Sequence, residues 1–137
     1  MLYIYIIEIA IRVKILRIFK TKWFDRFSRK NNIGDSVLIE AVERARNGLI
    51  DADLGSGVIK QRIAREGQGK SRGYRSIIIM NYDEIAFFVF GFSKNEQDNL
   101  RQDEVEEYRE LARDLLLISE KDLSQGLAEG DFVEVEK

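Results

Sequence analysis

Lys60, Arg62, Arg65, Lys70, Arg72 and Arg75 place six cations within sixteen residues, with Glu66 the single acid among them. Lys60 and Arg62 stand two apart, the spacing that puts side chains on the same face of an extended strand. Gly67, Gly69 and Gly73 interleave the run and relax the backbone for a turn. A basic, glycine-bearing hairpin in a chain of net charge −2 suits a phosphate group. There is no His and no Cys, so any chemistry rests on Lys, Arg, Tyr, carboxylates or hydroxyls. RNA cleavage is open to that set. The 2′-OH of one nucleotide attacks its own 3′-phosphate. A lysine or tyrosine moves protons where neighbouring cations lower its pKa. Arginine holds the phosphate and stabilises the charge that builds in the transition state. The opposing reading is a plain solvated face, and charge alone divides the two about evenly. In that case Glu66 simply pairs with Arg65 or Lys70. Gly67-Gln68-Gly69-Lys70-Ser71 lacks the first glycine of a P-loop at the required spacing, which argues against nucleotide hydrolysis.

The elements that must position these cations can be read from periodicity. Residues 14–19 read as a strand. Thr21 suits an N-cap, and Lys22 to Lys30 reads as a short helix with Trp23, Phe24 and Phe27 on one face. Asn31 to Gly34 breaks the chain. Asp35 or Ser36 caps a second helix with Val37, Leu38, Ala41, Val42 and Ala45 at helical spacing, and Gly48 ends it. Asp51 to Gly57 reads as a polar loop. Val58 to Ala64 is a strand of mixed pattern, Gly67 to Gly73 the turn, and Tyr74 to Met80 the returning strand. Ile85 to Phe92 is nearly all apolar, as in a strand buried on both faces. A long helix is expected from about Lys94 to Leu117, with Val105, Tyr108, Leu111, Ala112 and Leu115 as its apolar stripe. A shorter helix runs from Ser119 to about Ala128, and Phe132 to Val135 alternates like a strand. The fold class is α+β: two N-terminal helices, a mostly antiparallel sheet, then C-terminal helices. The helices are expected on one face of the sheet and polar side chains on the other.

Composition bounds the rest. A chain of 137 residues fits one domain with one core. Without Cys there is no disulfide scaffold, and without His and Cys the usual zinc and redox sites are gone. Neither a metal nor a cofactor is expected. Residues 1–95 hold 17 Lys/Arg against 10 Asp/Glu, and residues 96–137 hold 5 against 14. A basic body suits a polyanion such as nucleic acid. The acidic remainder is either a solvated helix face or a screen over the basic surface. Met1 to Ile11 is apolar, but Glu8 and Arg12 interrupt it well short of the about 20 residues a membrane span needs. No export signal is read there, and a cytoplasmic address is expected.

Three segments, taken together, resemble a known family. They are Phe19-Lys20-Thr21-Lys22-Trp23-Phe24-Asp25-Arg26-Phe27, Lys70-Ser71-Arg72-Gly73-Tyr74-Arg75, and Phe87-Phe88-Val89-Phe90-Gly91-Phe92-Ser93-Lys94-Asn95-Glu96. In this order the chain looks like the RelE/ParE superfamily of toxins from type II toxin–antitoxin systems, in the RelE/HigB-like branch. The likeness spans about Leu16 to the C-terminus, which sets residues 1–15 apart as an N-terminal extension and makes 16–137 a single toxin domain. It implies a ribosome-dependent mRNA endonuclease that inhibits translation. It also implies a cognate antitoxin, often with a helix-turn-helix DNA-binding domain. The Arg of Gly-Tyr-Arg, here Arg75, matches a phosphate-holding catalytic arginine. The family's Lys-x-Lys pair matches Lys60 and Arg62, and since arginine is the poorer proton carrier, Lys60 is the better base. The family's second arginine falls near Lys94 and Asn95, and its C-terminal tyrosine has no clear match, Arg101 being the nearest position.

The resulting site has Lys60, Arg62 and Arg75 as catalytic residues. Arg65, Lys70, Arg72, Tyr74, Lys94 and Asn95 are its RNA-binding residues. Tyr74 either stacks a base or points inward. Trp23 and Phe27 read as core or staple residues rather than stacking platforms, and Phe87 to Phe92 as core. Two other functions stay open: a gyrase-poisoning toxin of the same fold, and a non-catalytic module that binds RNA or an antitoxin.

Overall fold

The computed structural model describes residues 16–65, 69–93 and 99–136, with the backbone alone at 65 and 69–72. Strand β1 (Arg17–Thr21) runs straight into α1 (Lys22–Lys30). The reversal is sharp because Thr21 stays extended while its hydroxyl accepts the Phe24 amide at 3.2 Å. Helix α2 (Asp35–Arg46) follows and stops where Gly48 adopts φ +84°, a left-handed conformation that suits glycine. Then come β2 (Ala52–Gly55), β3 (Val58–Arg65), β4 (Gly69–Asn81) and β5 (Ile85–Ser93). The chain closes with α3 (Gln102–Leu115), α4 (Glu120–Glu129) and β6 (Phe132–Glu134).

The strands form one sheet in the order β2-β3-β4-β5-β1-β6, in which only β1 and β5 run parallel. The α+β class therefore holds. The expectation that helices cover one face does not. Alternate residues of β3 and β4 feed two separate cores. Ile59, Ile63, Tyr74, Ile78 and Met80 pack with Leu38, Ala41 and Val42 of α2. Val58, Ile77 and Ile79 pack on the other side with Ala112 and Leu115 of α3 and Leu123 of α4. Both faces need cover because β4 is apolar at both parities over Ile77-Ile78-Ile79, all fully buried. Each such side chain contributes about 1.5–3 kcal/mol when removed from water.

Three local expectations also change. The polar loop at 51–57 contains the short strand β2, turned by Gly55, Ser56 and Gly57, all at positive φ. The returning strand starts at Gly69, inside the expected turn. The long helix starts at Gln102; residues 94–98, where its first turns were expected, lie outside the described residues.

Candidate functional site

β3 and β4 set the site by their register. Arg62 lies directly opposite Arg75, Gln61 opposite Ser76, and Lys60 opposite Ile77. With a period of two, Val58, Lys60 and Arg62 share a face with Arg75, Ile77 and Ile79. That is the face covered by α3 and α4, and its apolar half is the second core. The cations occupy its other end. Directly opposed residues in an antiparallel pair bring their Cβ atoms within about 4.5–5.5 Å, so two guanidinium stems rise side by side. Phe92 of β5 lies across from Arg75 on the remaining side and is buried to 2% exposure.

The three cations differ in their partners. Arg62 is exposed and is held by Asp51, whose carboxylate accepts the Arg62 backbone N–H at 2.6 Å and lies 3.8 Å from its Nε. The ammonium of Lys60, half-buried, donates to Asn99 Oδ1 at 2.9 Å, a neutral partner, and has no ion pair among the described residues. Arg75 is half-buried, and one terminal guanidinium nitrogen, Nη1, is buried with no hydrogen-bond partner among the described residues. An unsatisfied buried donor costs about 1–3 kcal/mol. A phosphate oxygen arriving between Lys60 and Arg75 would supply that partner and balance the charge.

Other cations contrast with this group. Lys20 is almost fully buried between Asp25 and Asp35, each at 3.2 Å. Burial pushes the Asp25 carboxyl upward, but hydrogen bonds from Arg29 and Lys20 outweigh it and hold the group below the usual carboxylate range. That ion cluster ties β1 to the starts of both N-terminal helices, which is a structural role.

The remaining expected site residues divide. Tyr74 does not belong to the cationic face. It alternates to the opposite face, is 6% exposed, packs edge-on against Phe27, and donates its hydroxyl to Asn31 at 3.1 Å. A buried ring in that position cannot stack a base. The backbones of Arg65, Lys70 and Arg72 continue β3 and β4, but their side chains lie outside the described residues, as do Lys94 and Asn95 altogether. Arg101 is the N-cap of α3 and pairs with Asp103 at 3.1 Å. Tyr108 of α3 packs toward Phe90, and burial first, then Glu104 and Glu107, pushes its phenol up to about 12. It therefore stays protonated at neutral pH and is no base.

Sequence reading missed Asp51 and Asn99. Asp51 carried a weak signal, an acid shortly before a basic strand. Asn99 is 39 residues from Lys60, and no local pattern links them. The aromatic expectation also shifts. Trp23 is 45% exposed, stacked on Phe27 with centroids 5.4 Å apart and tilted over Phe90 at 4.6 Å. It is a rim residue, not core. Among the described residues no group of acids is placed to hold a metal ion, and no helix is long and apolar enough to cross a membrane.

The family described as the RelE toxin of the RelE/RelB toxin–antitoxin system matches residues 16–135. No curated protein and no solved structure matches the chain.

Proposed function

The chain belongs to the RelE toxin family and is a toxin of a toxin–antitoxin system, and on that premise we propose that it is a ribosome-dependent mRNA endonuclease that halts translation. One observation carries this reading: the buried Nη1 of Arg75, without a partner among the described residues, stands beside two further cations on one strand pair. A structural arginine would normally find a carboxylate, as Arg17 and Arg109 do here. An arginine with no carboxylate partner among the described residues, next to Lys60 and Arg62, fits an incoming phosphodiester.

In this mechanism Arg75 and Arg62 grip the non-bridging oxygens of the scissile phosphate. Lys60, after releasing its ammonium proton to solvent, takes the proton from the 2′-OH as a neutral amine, and the 2′ oxygen attacks the adjacent phosphorus. The bond from phosphorus to the 5′ oxygen breaks. The products are a 2′,3′-cyclic phosphate and a 5′-hydroxyl protonated from solvent. The arginines act mainly in the transition state, when the phosphoryl oxygens gain charge. Asn99 holds Lys60 until substrate arrives. Arg65, Lys70, Arg72, Lys94 and Asn95 remain the proposed RNA-binding residues of this reading. The partner is a cognate antitoxin, taken to carry a helix-turn-helix DNA-binding domain, and action on ribosomes places the toxin in the cytoplasm.

The test is primer extension on a defined mRNA, with purified protein, with and without programmed ribosomes. Cuts that need ribosomes and vanish in Arg75→Ala support the reading. Intact message in every lane overturns it, and cleavage of DNA in the presence of gyrase would redirect it to that target.

A further inference from the structure

A second feature lies at the rim of β5. Beyond Phe88 this strand has no neighbour on the β1 side among the described residues, because β1 ends its pairing at Lys20 and the chain turns into α1. A cleft of about 370 Å³ opens between that rim and α1, lined in part by Trp23, Arg26, Lys30, Phe90 and Phe92. This is within the size range of small-ligand sites. Trp23, Arg26 and Lys30 sit at helical positions i, i+3 and i+7, so one face of α1 presents an indole and two cations. Arg26 and Lys30 are exposed and have no ion-pair partner among the described residues, whereas Arg29 on the other flank of the helix is paired with Asp25. The indole is backed by Phe27 and Phe90 and leaves its remaining surface to solvent.

We propose that this cleft is a nucleotide subsite for single-stranded RNA, in which a base stacks on Trp23 while flanking phosphates meet Arg26 and Lys30. Aromatic faces interleaved with unpaired cations are what a flexible polyanion with π-faced bases selects. The cleft is continuous with the cationic face, since Phe92 lines it and is the direct cross-strand neighbour of Arg75. Adjacent strands lie about 4.8 Å apart, so a strand of RNA held at Arg75 reaches the cleft by crossing β5. The proposal rests on the nuclease reading for its substrate class, and its test separates the two.

Trp23 is the only tryptophan of the chain, so its fluorescence reports on this cleft. The full-length protein would be titrated with a 2′-O-methyl hexanucleotide, which cannot be cleaved. Saturable quenching is expected. Trp23→Phe should bind nearly as well, measured by anisotropy of a labelled strand, and Trp23→Ala should bind roughly 5- to 150-fold more weakly. Arg26→Gln with Lys30→Gln should lower the salt slope of binding by about 1.4, from about 0.7 per phosphate neutralised on a single strand. Arg75→Ala should leave the quenching amplitude intact. No quenching by RNA, with ribosome-dependent cleavage intact in both Trp23→Ala and the Arg26/Lys30 double variant, overturns the subsite and leaves the nuclease reading standing. Quenching by RNA together with intact message in every cleavage lane would do the reverse. Quenching by an acidic antitoxin peptide but not by RNA would overturn the subsite and make the cleft a protein-docking surface.

Discussion

Replacing Arg75 by Met should make the free protein more stable and the toxin inactive. Met keeps the apolar stem beside Phe92 while removing the charged head. The stability gain has two sources. Nη1 is buried without a partner among the described residues, and such a donor costs about 1–3 kcal/mol; because Arg75 is only half-buried, the lower end applies. Arg62 lies directly opposite, and like charges in that position cost up to about 1 kcal/mol, partly relieved here by Asp51. Together these give about 1–2 kcal/mol. For a chain of this length that raises Tm by roughly 3–8 °C, and added salt should shrink the part due to charge repulsion. Loss of a transition-state donor should meanwhile lower cleavage by about 10²–10³-fold. Arg75→Lys keeps the charge without the two-pronged fork and should fall between. The assays are differential scanning calorimetry of the free protein and single-turnover cleavage on programmed ribosomes. A lower Tm in Arg75→Met would refute the reasoning, since it would make the arginine a structural tie. Wild-type cleavage would refute it from the other side.

Three further outcomes are expected. Gly91→Ala drives its Cβ into the ring of Phe27 and should cost about 1–3 kcal/mol in urea unfolding, partly restored by Phe27→Leu; an unchanged midpoint would mean α1 shifts freely. Gln61 is fully buried and donates to the Ala41 and Leu49 carbonyls, each at 3.0 Å, while accepting the Asp51 amide at 3.0 Å; Gln61→Leu should cost about 2–4 kcal/mol, and a loss under 1 kcal/mol by the same method would show that water replaces it. The Asp25 carboxyl is depressed in the folded state, so its contribution is present above the unfolded pKa and is lost as pH falls through the lower folded value; Asp25→Asn should flatten the acid limb of Tm against pH, and an unaltered limb would contradict the assignment.

Much of the framework was legible from local signals. Thr21 as a cap, α1 over 22–30 and the left-handed Gly48 follow from rules that act over a few residues, and each is found in place. The split of Tyr74 from Arg75 is less local. Adjacent strand residues must face opposite ways, yet which of them faces the core depends on the helix packed there. Here Phe27 and Asn31 capture Tyr74. Trp23 looked like core because it shares the helical stripe of Phe24 and Phe27, but β1 is too short to carry the sheet past it. The stripe therefore overhangs the rim.

The sequence by itself determined the elements, the gathering of cations on β3 and β4, and the common face of Lys60 and Arg62. All of these depend on neighbours two to four residues away. Tertiary structure alone decided that Arg62 faces Arg75 and not a residue one step along, because register is set by the whole hairpin packing between two cores. It also decided that Asn99 meets Lys60, that Asp51 steadies Arg62, and that α3 and α4 cover a face expected to be polar. These pairings join segments far apart in the chain, and their energy exists only once the chain has closed the loops between them.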